Sequence, residues 1–280
     1  MMLRDALGTL HQPVDPASAP RIVSLVPSIT ELLCDLGLAK WLVGRTRFCV
    51  HPVDTVRPIA KVGGTKDINI DKIIRLAPTH LVVNIDENPK PAVDTLAQHI
   101  ANVIVTHPLS PHDNPALFRL LGAIFRCSDM AENLCTQFAA AAAACNAGVQ
   151  QRVLYCIWQE PWMTVSRETY IAQMLAQIGW SHWVAPTLAR YPVFEWDAAM
   201  LTQIDLILLS SEPYRFTASH VATLEQRIGR PVLLVDGEMM SWYGSRAIAG
   251  MGYLEHLRQQ QLLLSPPQHA GSAPAITSGD

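Results

Sequence analysis

Two stretches of the chain repeat one order of apolar and polar positions. Residues 71–86 read DKIIRLAPTHLVVNID, and residues 197–212 read DAAMLTQIDLILLSSE. Each opens on an acid and runs through one or two apolar helical turns. A polar break follows, then a short apolar strand at residues 81–84 or 206–209. A second strand comes about twenty residues later in both copies, at 103–105 and 232–235. A helix followed by a buried strand, met twice, predicts two similar α/β lobes. Two lobes enclose a cleft, and clefts between lobes hold small ligands.

The remaining pattern fits around these copies. Residues 21–25 read as a strand that turns at Pro27 and Ser28 into a helix with the apolar stripe Ile29, Leu32, Leu33 and Leu36. Ser28 and Glu31 have the spacing of a capping box, and Gly37 is a fitting stop. Residues 41–43 and 59–62 read as short strands. The loop Gly63, Gly64, Thr65, Lys66 lacks the full phosphate-loop spacing. Helices are predicted over 89–99 and 114–127. Next comes SDMAENLCTQFAAAAAACN, with Ser128 as N-cap, an alanine run of high helix propensity and Gly148 as its end. At 1.5 Å rise this helix would be about 28 Å long. It lies between the two copies, which makes it the connector. Lobe two is predicted as strand 153–158, a helix over 169–178 closed by Gly179, the second copy, a helix over 218–228, strand 232–235, loop 236–244 and a last helix from Ser245 to near Gln260.

The division expected is a disordered lead at 1–20, lobe one at 21–127, the linking helix at 128–149, lobe two at 150–262 and a disordered tail at 263–280. Composition narrows the function. Hydrophobic residues make up 49% of the 280 and charged residues only 16%, enough for sizeable cores. Net charge is −3 with no basic block, so nucleic acid is a poor partner. No apolar run reaches the eighteen residues or so of a membrane span. The first twenty residues carry Asp5, His11 and Asp15 where a signal peptide needs an apolar core. Six cysteines form no CxxC pair. Together these predict a cytoplasmic protein with free thiols.

PSITELLCDLG after the first strand, KVGGTKDINIDKIIRLAPTHLVV, the long linking helix and VDGEMMSWYGSRAIAGMGYLEHL occur in that order. This combination resembles the cobalamin and ferric-siderophore substrate-binding proteins of ABC importers, within the helical-backbone metal receptor superfamily, and the cobalamin branch most of all. The resemblance spans residues 21–260. It implies two Rossmann-like lobes joined by one rigid helix, little hinge closure, and a metal chelate in the cleft, either a corrinoid such as cobalamin or a ferric siderophore. It further implies a monomer, no required cofactor, and an exported protein whose lobes each dock an acid onto a permease. Asp71 matches the first docking position, and Glu238 is the acid nearest the second.

Strand-end loops supply the candidate ligand contacts, since side chains there converge at the carboxyl edge of a parallel sheet. They are Ser28, Arg47, Phe48, His51, Asn84 and Glu87 in lobe one, and Trp158, Trp162, Glu212, Trp242, Tyr243 and Arg246 in lobe two. Aromatic rings suit a large flat ligand. Trp162 and Trp242 are expected on opposite lips of the cleft. Cys49 and His51 could contribute to a metal site only with borrowed ligands. No nucleophile stands beside Glu160 or Glu212, so no catalytic residue is assigned. Two rivals remain: a cytosolic enzyme or chaperone that processes such a ligand, and a protein–protein module whose charged loops fill their own cleft.

Overall fold

The computed structural model describes residues 3–145 and 147–264, with side chains through Gln261. Lobe one is built from β1 (Ile22–Ser24), α1 (Pro27–Asp35), β2 (Leu42–Arg45), α2 (Val53–Val56), β3 (Ala60–Lys61), α3 (Ile70–Arg75), β4 (His80–Asn84), α4 (Lys90–Ala97), β5 (Asn102–Thr106) and α5 (Asn114–Ile124). Its five strands are parallel in the order β3-β2-β1-β4-β5. After α6 (Ser128–Ala144) comes lobe two. It contains β6 (Gln151–Trp158), β7 (Met163–Thr164), α7 (Tyr170–Ala176), β8 (Trp180–His182), α8 (Ala198–Leu201), β9 (Leu206–Ser210), α9 (Ala218–Ile228), β10 (Val232–Val235), α10 (Gly237–Ser241) and α11 (Arg246–Leu264). β10, β9 and β6 run parallel, and the free edge of β6 is shared between β8, parallel, and β7, antiparallel. The repeated pattern is therefore structural: α3–β4 and α8–β9 occupy equivalent places, each with a parallel partner, β5 or β10.

Alternation along the strands sorts side chains into three cores. Ile22, Val82 and Ile104 of the first sheet share one central core with Val153, Tyr155, Leu206 and Leu208 of the second. Val23, Leu81, Val83 and Val105 face outward under α3 and α4. Leu154, Cys156, Ile207 and Leu209 face outward under α8 and α9. α6 carries Ala131, Leu134, Cys135 and Phe138 into the central core and packs against α5 and α11. One helix thus spans the two lobes without a break.

Several local readings need correction. α6 has Cys127 at its N-cap with no side-chain bond, and it ends at Ala144, before the predicted stop at Gly148. α1 likewise lacks the predicted capping box. Pro27 sits in its first turn, Ser28 is buried, and Glu31 turns away to bind an arginine. The lead is not a free chain. Asp5 is buried and accepts hydrogen bonds from the amides of Leu7, Thr9 and Val105 and contacts His11 Nε2 at 3.1 Å. Ala6 N donates to Val105 O, and Val14 bonds the end of α5. A charged residue at position 5 thus serves as the anchor for the exposed edge of β5. The tail, from residue 265 on, lies outside the described residues. Among the described residues no helix is long and apolar enough to cross a membrane.

Candidate functional site

Six strand-end loops meet where the carboxyl ends of both sheets approach each other. The loop after β10 is the centre. Asp236 caps α10 by accepting from Glu238 N and Met239 N, and α10 hands over to Trp242, Tyr243 and Gly244 before α11 begins. These residues belong to lobe two by sequence, but most of their polar partners lie in lobe one. Tyr243 donates its hydroxyl to Glu87 Oε1 at 2.6 Å. Gly244 N donates to Asn114 Oδ1 at 2.6 Å. Arg246 makes a bidentate pair with Glu31, both bonds 2.7 Å, and reaches Glu238 at 3.3 Å. Glu238 also meets His51 Nε2 at 3.0 Å. Within lobe two, Glu212 Oε1 accepts from Ser241 Oγ at 2.9 Å and from Trp242 Nε1 at 2.8 Å. The His51 ring meets Trp242 edge-on at 5.7 Å, and the Arg246 guanidinium lies over the same indole at 4.9 Å. A second bridge crosses the seam at Arg190–Asp86, 2.8 Å, with His107 Nε2 3.3 Å from Asp86.

The seam is rich in carboxyls. Glu31, Asp86, Glu87, Glu212, Asp236 and Glu238 face the cations Lys66, Arg190 and Arg246 and the imidazole of His51. Crowding shows in the acids themselves. Burial raises Glu87 to about 7, with Glu212 and Asp86 adding to the rise and the Tyr243 bond opposing it. Glu212 is also raised, first by burial and then by Glu238 and Asp236, against the bonds from Ser241 and Trp242. Burial and Glu87 push Tyr243 up, so it stays a donor. The buried Ser28 hydroxyl lies against the same phenol and opposes part of that rise.

The structure brings His51, Glu87, Glu212, Trp242, Tyr243 and Arg246 together and places Ser28 beneath them. It does not bring in the rest. Trp162 sits on the outer side of lobe two, stacked on Phe216 at 5.8 Å and edge-on to Trp196 at 5.2 Å, so it is no lip opposite Trp242. Trp158 shares the outward parity of Leu154 and Cys156 and leans on Tyr214, leaving 41% of its surface exposed at the rim. Asn84 is buried, its Oδ1 accepting from Asp86 N and Glu87 N; it shapes the loop rather than facing the cleft. Arg47 pairs with Asp67 and lies over Phe48, which remains 48% exposed. Asp71 is exposed in the first turn of α3, as a docking residue requires. Glu238 is not free to dock, because His51 and Arg246 hold it inside the seam. Cys49 turns inward to Thr30 and Thr46, away from His51. Among the described residues no group of three or more His, Cys, Asp or Glu side chains could hold a metal ion.

Sequence reasoning missed Glu31, Asn114, Arg190 and Tyr191 as seam residues. Glu31 carried a different local signal, the capping spacing. Arg190 and Tyr191 lie in the connection between β8 and α8, where Thr164 N bonds Pro192 O and Ser166 N bonds Arg190 O. That edge pairing swings the connection toward lobe one, and nothing in its composition marks it.

The profile of the periplasmic binding protein family matches residues 22–228. A vitamin B12-binding protein of Pectobacterium carotovorum subsp. carotovorum (strain PC1) is 22% identical over 252 residues, covering 88% of this chain and 90% of that protein. Among solved structures, the periplasmic vitamin B12-binding protein BtuF of Vibrio cholerae superposes with a TM-score of 0.73 at 17% identity, covering 87% of this chain and 98% of its own. The periplasmic heme-binding protein RhuT from Roseiflexus sp. RS-1, in apo form, gives 0.71 at 18% identity, covering 86% and 97%. At these identities the structural likeness speaks for the fold.

Proposed function

Because the chain belongs to the periplasmic binding protein family, we propose that it is a non-enzymatic receptor for a metal chelate held between its lobes, a corrinoid in the first place. One observation carries this reading. Large apolar side chains stay in water around the seam on both lobes, with Phe48 48%, Ile85 43% and Tyr191 40% exposed, above a floor of carboxyls. Exposed apolar surface flanking convergent polar groups marks a ligand site. The charge selects among chelates. Six carboxyls, with Glu87 only partly ionised at neutral pH, face three full cations, and this acidic excess disfavours a dicarboxylate heme or an anionic ferric siderophore and suits an amide-fringed, uncharged or cationic corrinoid. Delivery to an ABC permease is part of the reading, with Asp71 on lobe one as the docking acid. The relatives named for vitamin B12 and heme support the ligand class.

Titrating the purified protein with cyanocobalamin, hemin and a ferric siderophore, followed by tryptophan fluorescence, tests this. Cyanocobalamin should quench at the lowest concentration. Hemin binding tighter than cyanocobalamin would overturn the charge argument, and turnover of the bound corrinoid would overturn the non-enzymatic reading.

A further inference from the structure

We propose that residues 236–246 form a built-in clasp that joins the two lobes across the cleft, so that a ligand gains the site by displacing them. The segment is tethered to lobe two by Asp236 N donating to the Tyr253 hydroxyl, by Gly237 N donating to Ser211 Oγ, both at 2.9 Å, and through the Glu212 bonds to Ser241 and Trp242. Its working contacts cross to lobe one at four separate places: Glu238 to His51, Tyr243 to Glu87, Gly244 N to Asn114, and Arg246 to Glu31. The fit is close. Gly244 has φ +84, and a Cβ there would lie 3.2 Å from Ser28 O and 3.3 Å from Leu32 Cβ, so the turn is pressed directly onto α1. The two rings at the seam, Trp242 and Tyr243, are 8% and 6% exposed, whereas Phe48 on the rim is 48% exposed. The most aromatic part of the cleft floor is therefore already covered by the protein's own lobes.

Packing of this kind has two discrete arrangements rather than a continuum. The hand-over residue, Trp242, is extended between α10 and α11, so the turn can swing on a short helix without unwinding α11. Glu238 is the coupling point, because one carboxylate serves both His51 and Arg246. Where the competent state is only partly populated, apparent affinity falls by that fraction. The clasp thus lowers affinity for any ligand that must reach the floor, and weakening it should raise affinity. This is unlike a contact residue, whose loss lowers affinity.

Hydrogen–deuterium exchange on the ligand-free full chain tests the clasp without reference to any ligand. Tyr243→Phe keeps the ring and removes the bond to Glu87. Glu238→Gln keeps the shape and removes the charge, and it serves should the first variant fold poorly. In either, amides of residues 240–246 and of the facing 47–51 loop should exchange about ten-fold faster together, equivalent to about 1.4 kcal/mol. Exchange unchanged in both segments, or faster only in the segment carrying the substitution, overturns the clasp. A second arm rests on the proposed function: Tyr243→Phe should bind cyanocobalamin about three- to ten-fold tighter than the unaltered chain. Weaker binding with faster exchange would make Tyr243 a ligand contact and overturn the displacement. Absence of binding by both proteins would refute the proposed ligand, while the exchange result would still decide the clasp.

Discussion

Asp5 should be one of the most sensitive polar positions in lobe one, although it lies in a stretch that reads as a disordered lead. Its carboxylate accepts from three amides, at 3.0 Å from Leu7, 2.9 Å from Thr9 and 3.1 Å from Val105, and meets His11 Nε2 at 3.1 Å. Asp5→Ala strips all four partners at once. The Leu7 and Thr9 amides sit in a surface turn where water can replace the acceptor, so their loss costs little. Val105 N and His11 are enclosed, and an enclosed donor left without an acceptor costs about 1–3 kcal/mol each. The sum, after allowing for relaxation of the lead, is about 2–4 kcal/mol. For a chain of 280 residues that lowers the melting temperature by roughly 3–7 °C. Asp5→Asn keeps one acceptor oxygen and should lose about half as much. Thermal melts by circular dichroism give the shift, and exchange at Val105 locates it. A melting temperature within about 1 °C of the unaltered chain for Asp5→Ala would show that the lead adds nothing to lobe one and refute the reasoning.

Three further outcomes follow from the packing. Trp162→Ala should cost about 2–3 kcal/mol through its aromatic cluster with no change in cyanocobalamin affinity, whereas Trp242→Ala should change affinity; a binding loss in Trp162→Ala at unchanged melting temperature would return that residue to the cleft. Glu87 is raised from its ordinary 4.5 to about 7, so the folded state holds its proton more tightly than the unfolded one. Its stabilising contribution is full below about pH 4.5 and is lost as pH rises through 7; partial exposure discounts it to about 1–2 kcal/mol, and Glu87→Gln should flatten the stability profile across that window in urea titrations. Gly122→Ala would bring its Cβ 2.5 Å from Ala131 Cβ where α5 crosses α6, costing about 1–3 kcal/mol despite better helix propensity, readable as a lower urea midpoint.

The sequence by itself determined the two lobes, the connecting helix and most strand positions. Apolar runs such as LVVN and LILL are buried on both faces, so no other element accommodates them, and the acid at the head of each copy marks a helix start: Asp197 does cap α8. It also located the loops that form the site, because parallel strands send their carboxyl ends the same way. Pairing across the seam was not legible. Glu31 looks like half of a capping box, and only the approach of α11 gives it Arg246, more than two hundred residues away. Trp158 and Trp162 flank one hairpin, and which face each takes depends on the register shift between β6 and β7, a property of sheet pairing. Arg190 reaches Asp86 because an edge pairing with β7 redirects its loop. Asp5 is exposed by composition and buried in fact, because β5 is an edge strand whose Val105 amide needs an acceptor. Local periodicity fixes what each segment becomes, while hydrogen-bond satisfaction between distant segments decides which polar groups meet, and that second condition exists only once the lobes have packed.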